Sequence, residues 1–448
     1  MSEMTDLAPA ELVMDRRPVS PPPPRLLEDT ELIGQVAGSG LRKPPYLVRR
    51  RDGQMVQLSQ LLYVIAGHMD GRELTAIAES AGAKLELRIT PEQVAYVAER
   101  KLTPLGLIAP RDGSAPKLES VNALLGLRFR VRLIPERVVN ALAGWLRALF
   151  FPPLVIVVLA ALAACDIWLG TSHGVGAGLT ALIHHPALVL ALLGLMVVSL
   201  VFHELGHAAA CRYGGARPGR IGAGLYLVWP AFYTDVTDSY RLNKTGRLRT
   251  DLGGVYFNAL VALGATGAYF LTGYEPLLVL VLSQQLLMLD QFIPWLRLDG
   301  YHIISDLIGV SDLFSRIKPI ISSLVPGRGP HPRVSELKPW ARAAVTIWVL
   351  STVLVLSVIG VSFIIYAPTY FAAAKHSLIV QLNGVAHAAQ IASPVNLLSN
   401  AIGAVMLLLP AISTVLIYLL LCRGIGTSLA HRRVRLDLTL ATARRNEA

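Results

Sequence analysis

From residue 152 onward the chain is written in long apolar runs separated by short polar breaks, at 152–169, 186–211, 252–272, 276–293, 343–366 and 395–421. Each run approaches the ~20 residues that an α-helix needs to cross about 30 Å of hydrocarbon, so the pattern predicts six membrane spans. The fourth is short and is stopped by Pro294, while residues 368–394 are only moderately apolar, as expected of a segment lying along an interface. Ahead of the spans the pattern changes. YLVRRR and QMVQL flank Asp52-Gly53, which is a hairpin signal. Helical periodicity follows at 59–68 and 73–82, and Thr90-Pro91-Glu92-Gln93 opens a third helix with an N-cap, a first-position proline and a capping-box glutamine. Two strands and three helices predict a small soluble domain. The segment LLGLRFRVRLIPERVVNALAGWLRALF, residues 124–150, mixes arginines with Trp145 and leucines, which predicts an amphipathic helix at the headgroups.

The fold class expected is therefore a polytopic α-helical membrane protein with an N-terminal soluble α+β, winged-helix-like domain. The expected divisions are a disordered proline-rich tail (1–45), the soluble domain (46–110), a linker with the interfacial helix (111–151), a membrane core (152–310), a cytoplasmic loop (311–342), C-terminal transmembrane helices (343–421) and a basic tail (422–448). Composition reinforces the membrane reading: 53% of the 448 residues are hydrophobic, and the mean hydropathy is +0.51. No apolar stretch near the start predicts a cleavable signal peptide. Cys165, Cys211 and Cys422 lie in or beside apolar runs, which argues against a disulfide framework or a cysteine zinc site.

A net charge of +11 raises the question of nucleic acid, but its distribution answers it. Arg212, Arg217, Arg220, Arg241, Lys244, Arg247 and Arg249 crowd the connection between spans two and three, and Arg316, Lys318, Arg328, Arg333, Lys338 and Arg342 crowd that between four and five. The alternate loops hold only Lys375. This asymmetry is a topology signal placing both termini and both basic loops in the cytoplasm, with the lipid bilayer as partner and no nucleic acid.

Span two ends in SLVFHELGHAAACRYGG. Residues four apart share a helix face, so His203 and His207 can present two imidazoles to one metal ion. Glu204, one step round, is placed to act as general base on water activated by zinc, the division of labour of zinc peptidases. Ionisable groups in a membrane helix are costly and need a pore, relay or metal site to satisfy them. A catalytic zinc needs a third protein ligand. Asp299, in PWLRLDGYHIISD, follows the Pro294 break at the same membrane depth, with Asp290, Asp306 and His302 as rivals; Asp290 can instead line a wet cavity with Gln284 and Gln285. Between the two halves, residues 220–242 (RIGAGLYLVWPAFYTDVTDSYRL) read as an extended hairpin whose edge could pair with an unwound substrate backbone, with Asp235 and Asp238 either orienting substrate or ending the strand.

With HELGH at 203–207 and LDGY at 298–301 on successive membrane segments, the sequence resembles the site-2 protease family of intramembrane zinc metallopeptidases, in particular its peptide zinc metalloprotease branch. The resemblance runs from about residue 120 to 310 and includes PAFYTDVTDSYRL and GGVYFN, the latter where that family usually carries AGPxxN. It implies a three-helix catalytic core, a Zn²⁺ cofactor, His203, His207 and Asp299 as metal ligands, Glu204 as the base, and Asn258 as a substrate-binding helper. Val255 replaces the family's usual proline, and Ile293 stands where asparagine often precedes Pro294. The soluble domain is similar to PqqD-like peptide-recognition elements. The function expected is a membrane-embedded zinc endopeptidase acting on a peptide or membrane-protein substrate near the cytoplasmic face, in peptide maturation or regulated intramembrane proteolysis. The alternative is a non-proteolytic transporter or peptide-immunity protein with a vestigial metal site. Oligomeric state is left open.

Overall fold

The computed structural model describes residues 23–50, 54–109, 128–226, 229–327, 329–410, 412–413 and 416. The chain divides into two units, Met1–Gln35 with Pro45–Glu119, and Val36–Pro44 with Ser120–Ala448.

In the first unit β1 (Glu31–Gln35), β2 (Tyr46–Arg49) and β3 (Met55–Leu58) form an antiparallel sheet in that order. The register of the second pair runs from Tyr46↔Leu58 to Arg49↔Met55, while the Asp52-Gly53 turn expected to join them lies outside the described residues. Helices α1 (Gln60–Gly67), α2 (Leu74–Leu85) and α3 (Pro91–Val97) follow. Thr90 and Gln93 form the reciprocal capping box, each side chain bonded to the other's backbone. Alternate strand positions and one stripe of each helix converge on a core that includes Val48, Leu58, Ile65, Ile77, Val94 and Leu102. One boundary moves. β1 falls within the segment expected to be a disordered tail, because ELIGQ is too short to announce a strand and gains its ladder from β2.

The second unit holds a second antiparallel sheet, β4 (Arg128–Ile134), β5 (Ile221–Tyr226) and β6 (Trp229–Thr234), again in that order. The hairpin of β5 and β6 matches the expected extended loop. The 124–150 expectation needs correction: its described part is a strand and then a helix, α4 (Glu136–Leu146). Arginine and apolar residues alternate through RFRVRLI with period two, which a helix cannot sort onto faces, and β5 supplies the pairing.

The remaining helices are α5 (Pro152–Trp168), α6 (Gly176–His184), α7 (Pro186–Tyr213), α8 (Lys244–Asp251), α9 (Gly253–Thr272), α10 (Pro276–Gln291), α11 (Asp299–Ile308), α12 (Ile317–Ser323), α13 (Pro332–Ser335) and α14 (Pro339–Gln390). Among the described residues four helices are long and apolar enough to cross a membrane: Pro152–His173, Pro186–Tyr213, Gly253–Thr272 and Pro339–Gln390. Pro276–Gln291 and Pro394–Pro410 are apolar but shorter. Of the six expected spans, four are full-length helices, the fourth span is the short α10 as expected, and much of the sixth, 395–421, lies outside the described residues. The segment expected to lie along an interface, 368–394, continues α14 as far as Gln390; the helix's 52 residues run through Pro368 for about 78 Å at 1.5 Å per residue. The connection 311–342 is not a bare loop: α12 and α13 fold there, and Ile320 and Val334 join a core with Tyr301 and Trp348. The basic tail after residue 416 and the linker 110–127 lie outside the described residues.

Glycine sets how closely the central helices approach. Gly206 of α7 and Gly253 of α9 meet so tightly that a Cβ on either would overlap the other's backbone carbonyl. Ala208, Ala209 and Ala210 continue the buried seam, and packing of small residues is the usual route to helix association in lipid.

Candidate metal centre

α7 carries the HELGH residues into the part of the unit where side chains are buried. His203, Glu204 and His207 are exposed to no more than 9%. His203 and His207 lie one helical turn apart, and their Nε2 atoms are 3.1 Å apart. The Asp299 Oδ2 atom sits 3.2 Å from each of them. Among the described residues this is the one group of three or more His, Cys, Asp or Glu side chains whose ligand atoms gather closely enough to hold a metal ion.

The spacing can be tested against an ion. Tetrahedral zinc with donors at 2.0–2.2 Å requires donor–donor separations of about 3.3 Å, close to the near-equilateral triangle of 3.1, 3.2 and 3.2 Å. The outward nitrogen of one ligand is already committed: His207 Nδ1 donates to the Thr250 carbonyl at 2.8 Å. That bond selects the tautomer whose Nε2 lone pair faces the other two donors, as supporting carbonyls do around metals. Asp299 Oδ2 has no hydrogen-bond donor of its own. Burial pushes the Asp299 carboxyl up, but the neighbouring His207 and His203 imidazoles outweigh it and hold the group below the usual carboxylate range. Two imidazoles and a carboxylate, with no fourth protein donor among the described residues, suit a catalytic zinc; the same donor set also serves non-haem iron.

Each residue of LDGY has a separate reason to be there. Asp299 is the first residue of α11, reached after Pro294 interrupts the chain beyond α10. A Cβ at Gly300 would press into the carbonyls of Gln291 and Phe292, so only glycine lets α11 start directly against the end of α10. Tyr301 is buried between Phe314 and Trp348, and its hydroxyl accepts from the Leu313 N–H at 3.0 Å. The Trp348 indole donates to the Pro294 carbonyl at 3.0 Å.

Of the rival ligands, Asp290 and His302 are exposed, and Asp306 is engaged by Arg247 at 3.1 Å. Of the two glutamines grouped with Asp290, Gln284 is buried and accepts from Ser199 at 2.7 Å, and Gln285 donates to Asp166. Asp235 and Asp238 terminate structure. Asp235 accepts from Thr237 N–H and hydroxyl at 3.1 and 2.6 Å, and Asp238 from Arg217 N–H at 2.9 Å.

Three features escape a reading of the sequence. The Thr234 hydroxyl, at the end of β6, reaches Glu204 at both its Oε2 (2.6 Å) and its carbonyl (2.9 Å). Gly254 of α9 lies against the imidazoles, and a Cβ there would overlap the His203 ring. Asp251, at the end of α8, is pushed up to about 8 by burial and by the charge of Asp306. Of these only the GG of GGVYFN carried a signal, as a pair of glycines in a membrane helix. Asn258 lies one turn beyond Gly254 on the same helix, fully buried, with neither its amide oxygen nor its nitrogen hydrogen-bonded.

No protein-family model matches the chain, and no solved structure matches it. Among curated proteins it is 27% identical over 125 residues to the "Putative peptide zinc metalloprotease protein YydH" of Bacillus subtilis (strain 168). The match covers 27% of this chain and 49% of that relative, so the chain spans about half the length of the curated protein it resembles.

Proposed function

We propose that the protein is a membrane-embedded zinc endopeptidase that hydrolyses a peptide or membrane-segment bond near the cytoplasmic face. The observation that carries this reading is the triangle of the buried His203 and His207 with the half-buried Asp299, and Glu204 adjacent to one ligand. A relative named for zinc peptidase chemistry supports zinc over iron. His203, His207 and Asp299 would hold the ion. A zinc ion there supplies Lewis acidity, polarising the scissile carbonyl and making water acidic enough to attack near neutral pH.

Glu204 takes the proton of the attacking water and returns it to the departing amine. Thr234 donates to the Glu204 carboxylate at 2.6 Å, which fixes its orientation. The unpaired amide of Asn258 is available to the substrate, since a buried amide without partners is costly unless a ligand satisfies it. A substrate helix must unwind before its carbonyls can be attacked. β6 has one edge on β5 and, among the described residues, no strand on the other, so an extended substrate can pair along it beside Glu204. The first unit would then capture substrate, in peptide maturation or in regulated intramembrane proteolysis.

The test compares membrane and secreted peptides from cells carrying the native chain with those from cells carrying Glu204→Gln, alongside metal content of both purified proteins. Peptides that accumulate uncleaved only with the variant, at equal zinc content, support hydrolysis. Identical peptide profiles sink it in favour of a non-proteolytic membrane protein.

A further inference from the structure

Arg247 is among the largest fully buried side chains of the molecule, at 1% exposure. An arginine is rarely enclosed without a dense set of acceptors, and its partners come from three separate parts of the chain. Its Nε donates to Asp306 Oδ1 at 3.1 Å, its Nη1 to the Leu242 carbonyl at 3.0 Å, and its Nη2 to the Ala37 carbonyl at 3.2 Å. The fork of donors on one guanidinium makes such a three-way junction possible; an ammonium group lacks that planar spread.

Its own helix and its Asp306 partner lead directly to the metal centre. Arg247 belongs to α8, and one residue in the last turn of that helix, Thr250, supplies the carbonyl that orients His207. Asp306 belongs to α11, whose first residue is Asp299. The Arg247–Asp306 pair therefore spans the same two helices that must be held in register for the His207 and Asp299 donors to face one point.

The third connection is the segment Val36–Pro44, which leaves the N-terminal sheet after β1, packs with the second unit, and returns to begin β2. It is tied to the far end of α11 and to the start of α14. Gly40 N–H donates to the Gly309 carbonyl at 2.9 Å, Lys338 N–H donates to the Gly40 carbonyl at 2.9 Å, and Arg42 N–H donates to the Glu336 carbonyl at 2.8 Å. Side chains are excluded at the junction: a Cβ on Gly40 would overlap the Ile308 carbonyl, and one on Gly309, at φ +70°, would overlap the Gly38 carbonyl. Nine residues of a connection between two adjacent strands are thus built into the frame beneath the metal ligands.

The geometry points to Arg247 as a positioning residue for the metal centre: with Asp306 and the Ala37 carbonyl it locks α8, α11 and the strap Val36–Pro44 into one frame, so that metal affinity depends on the strap. This inference rests on the metal reading proposed above. It also gives the chain that continues from the strap into the N-terminal sheet a covalent route to the ligand geometry.

The test uses the full chain in detergent micelles, with zinc dissociation constants from competition with a chromophoric chelator and the ligand-field absorption of the cobalt(II) form. Outer-sphere partners of metal ligands are typically worth about 10- to 100-fold in affinity. Arg247→Lys and Asp306→Asn are each expected to weaken zinc binding by about that factor and to shift the cobalt bands, with the double variant no worse than the poorer single. Gly40→Val, whose side chain would press on the Ile308 carbonyl and part the strap from α11, is expected to move both readouts in the same direction. A merely structural role would lower the melting temperature of the metal-free protein but leave the zinc constant and cobalt spectrum of the folded fraction unchanged, and that result overturns the proposal. Asp306→Asn, which preserves side-chain volume, decides the matter if Arg247→Lys yields no folded protein. Equal zinc affinity in the native chain and His203→Ala removes the metal reading and this inference with it; tight native binding, lost in His203→Ala but intact in Arg247→Lys and Asp306→Asn, removes only the latter.

Discussion

The two halves of α7 have opposite relations to their surroundings. In the first half Leu195, Val197 and Val198 are 46–65% exposed although the stretch is as apolar as a protein core. In the second, Leu205, Ala208, Ala209, Ala210 and Cys211 are buried together with His203, Glu204 and His207. The outer half spends its hydrophobicity on lipid, which covers its side chains without specific packing. The inner half gives up bulk for alanine and glycine, and the space so freed admits α9 at backbone contact with Gly206. Polar chemistry follows close packing here, because only a dry, protein-lined seam can both pay for buried imidazoles and hold them at fixed spacing.

The largest effects should come from the inner half. His203→Ala is expected to abolish metal binding and cleavage together, whereas Glu204→Gln should retain stoichiometric metal by elemental analysis and lose about 10²- to 10⁴-fold in kcat, the usual worth of a general base. Gly206→Val comes next. It forces α7 away from α9, and overpacking of this kind costs about 1–3 kcal/mol or more, so thermal unfolding of the purified protein should shift down and metal occupancy fall with it. Thr234→Val should leave metal occupancy intact and lower kcat about 10- to 100-fold, the worth of about 1.5–3 kcal/mol for one hydrogen bond to a charged group.

Smaller effects should distinguish lipid contact from protein packing. Val198→Ala, in the outer half, is expected to change the melting temperature little, because lipid chains refill the volume that a protein core would leave as a cavity. A loss comparable to that of Gly206→Val would show that the outer half packs against protein. The pH dependence of stability bears on the inner side. Asp251 titrates at about 8 in the fold and at about 3.9 when unfolded, so between those values the native state keeps a proton that the unfolded chain has lost. Stability should therefore fall as pH rises across that window and level off above it, and Asp251→Asn should flatten the slope in melting experiments.

Much of the second unit was legible because its signals are local. HELGH needs only the helical repeat to bring its histidines to one face, and the Pro294 break with LDGY marks where the chain turns back. The gathering of Asp299 with those histidines, expected from depth alone, depends on contacts between segments about 95 residues apart. Thr234 and Glu204 meet across 30 residues, and no property of either residue by itself declares the bond. β4 was read as a helix because its arginines and leucines suit a membrane surface, although its period-two alternation already indicated a strand.

The sequence by itself determined that this is a chain for the bilayer, with apolar runs long enough to cross it, and that two imidazoles and a carboxylate lie on one helical segment, since both follow from composition and from a repeat of 3.6 residues. Only the tertiary structure decided which aspartate completes the triangle, and that the link between β1 and β2 is built into the frame beneath the site. Those outcomes depend on distant segments approaching to within a glycine's breadth, and the free energy of that approach belongs to the pair and to neither stretch alone.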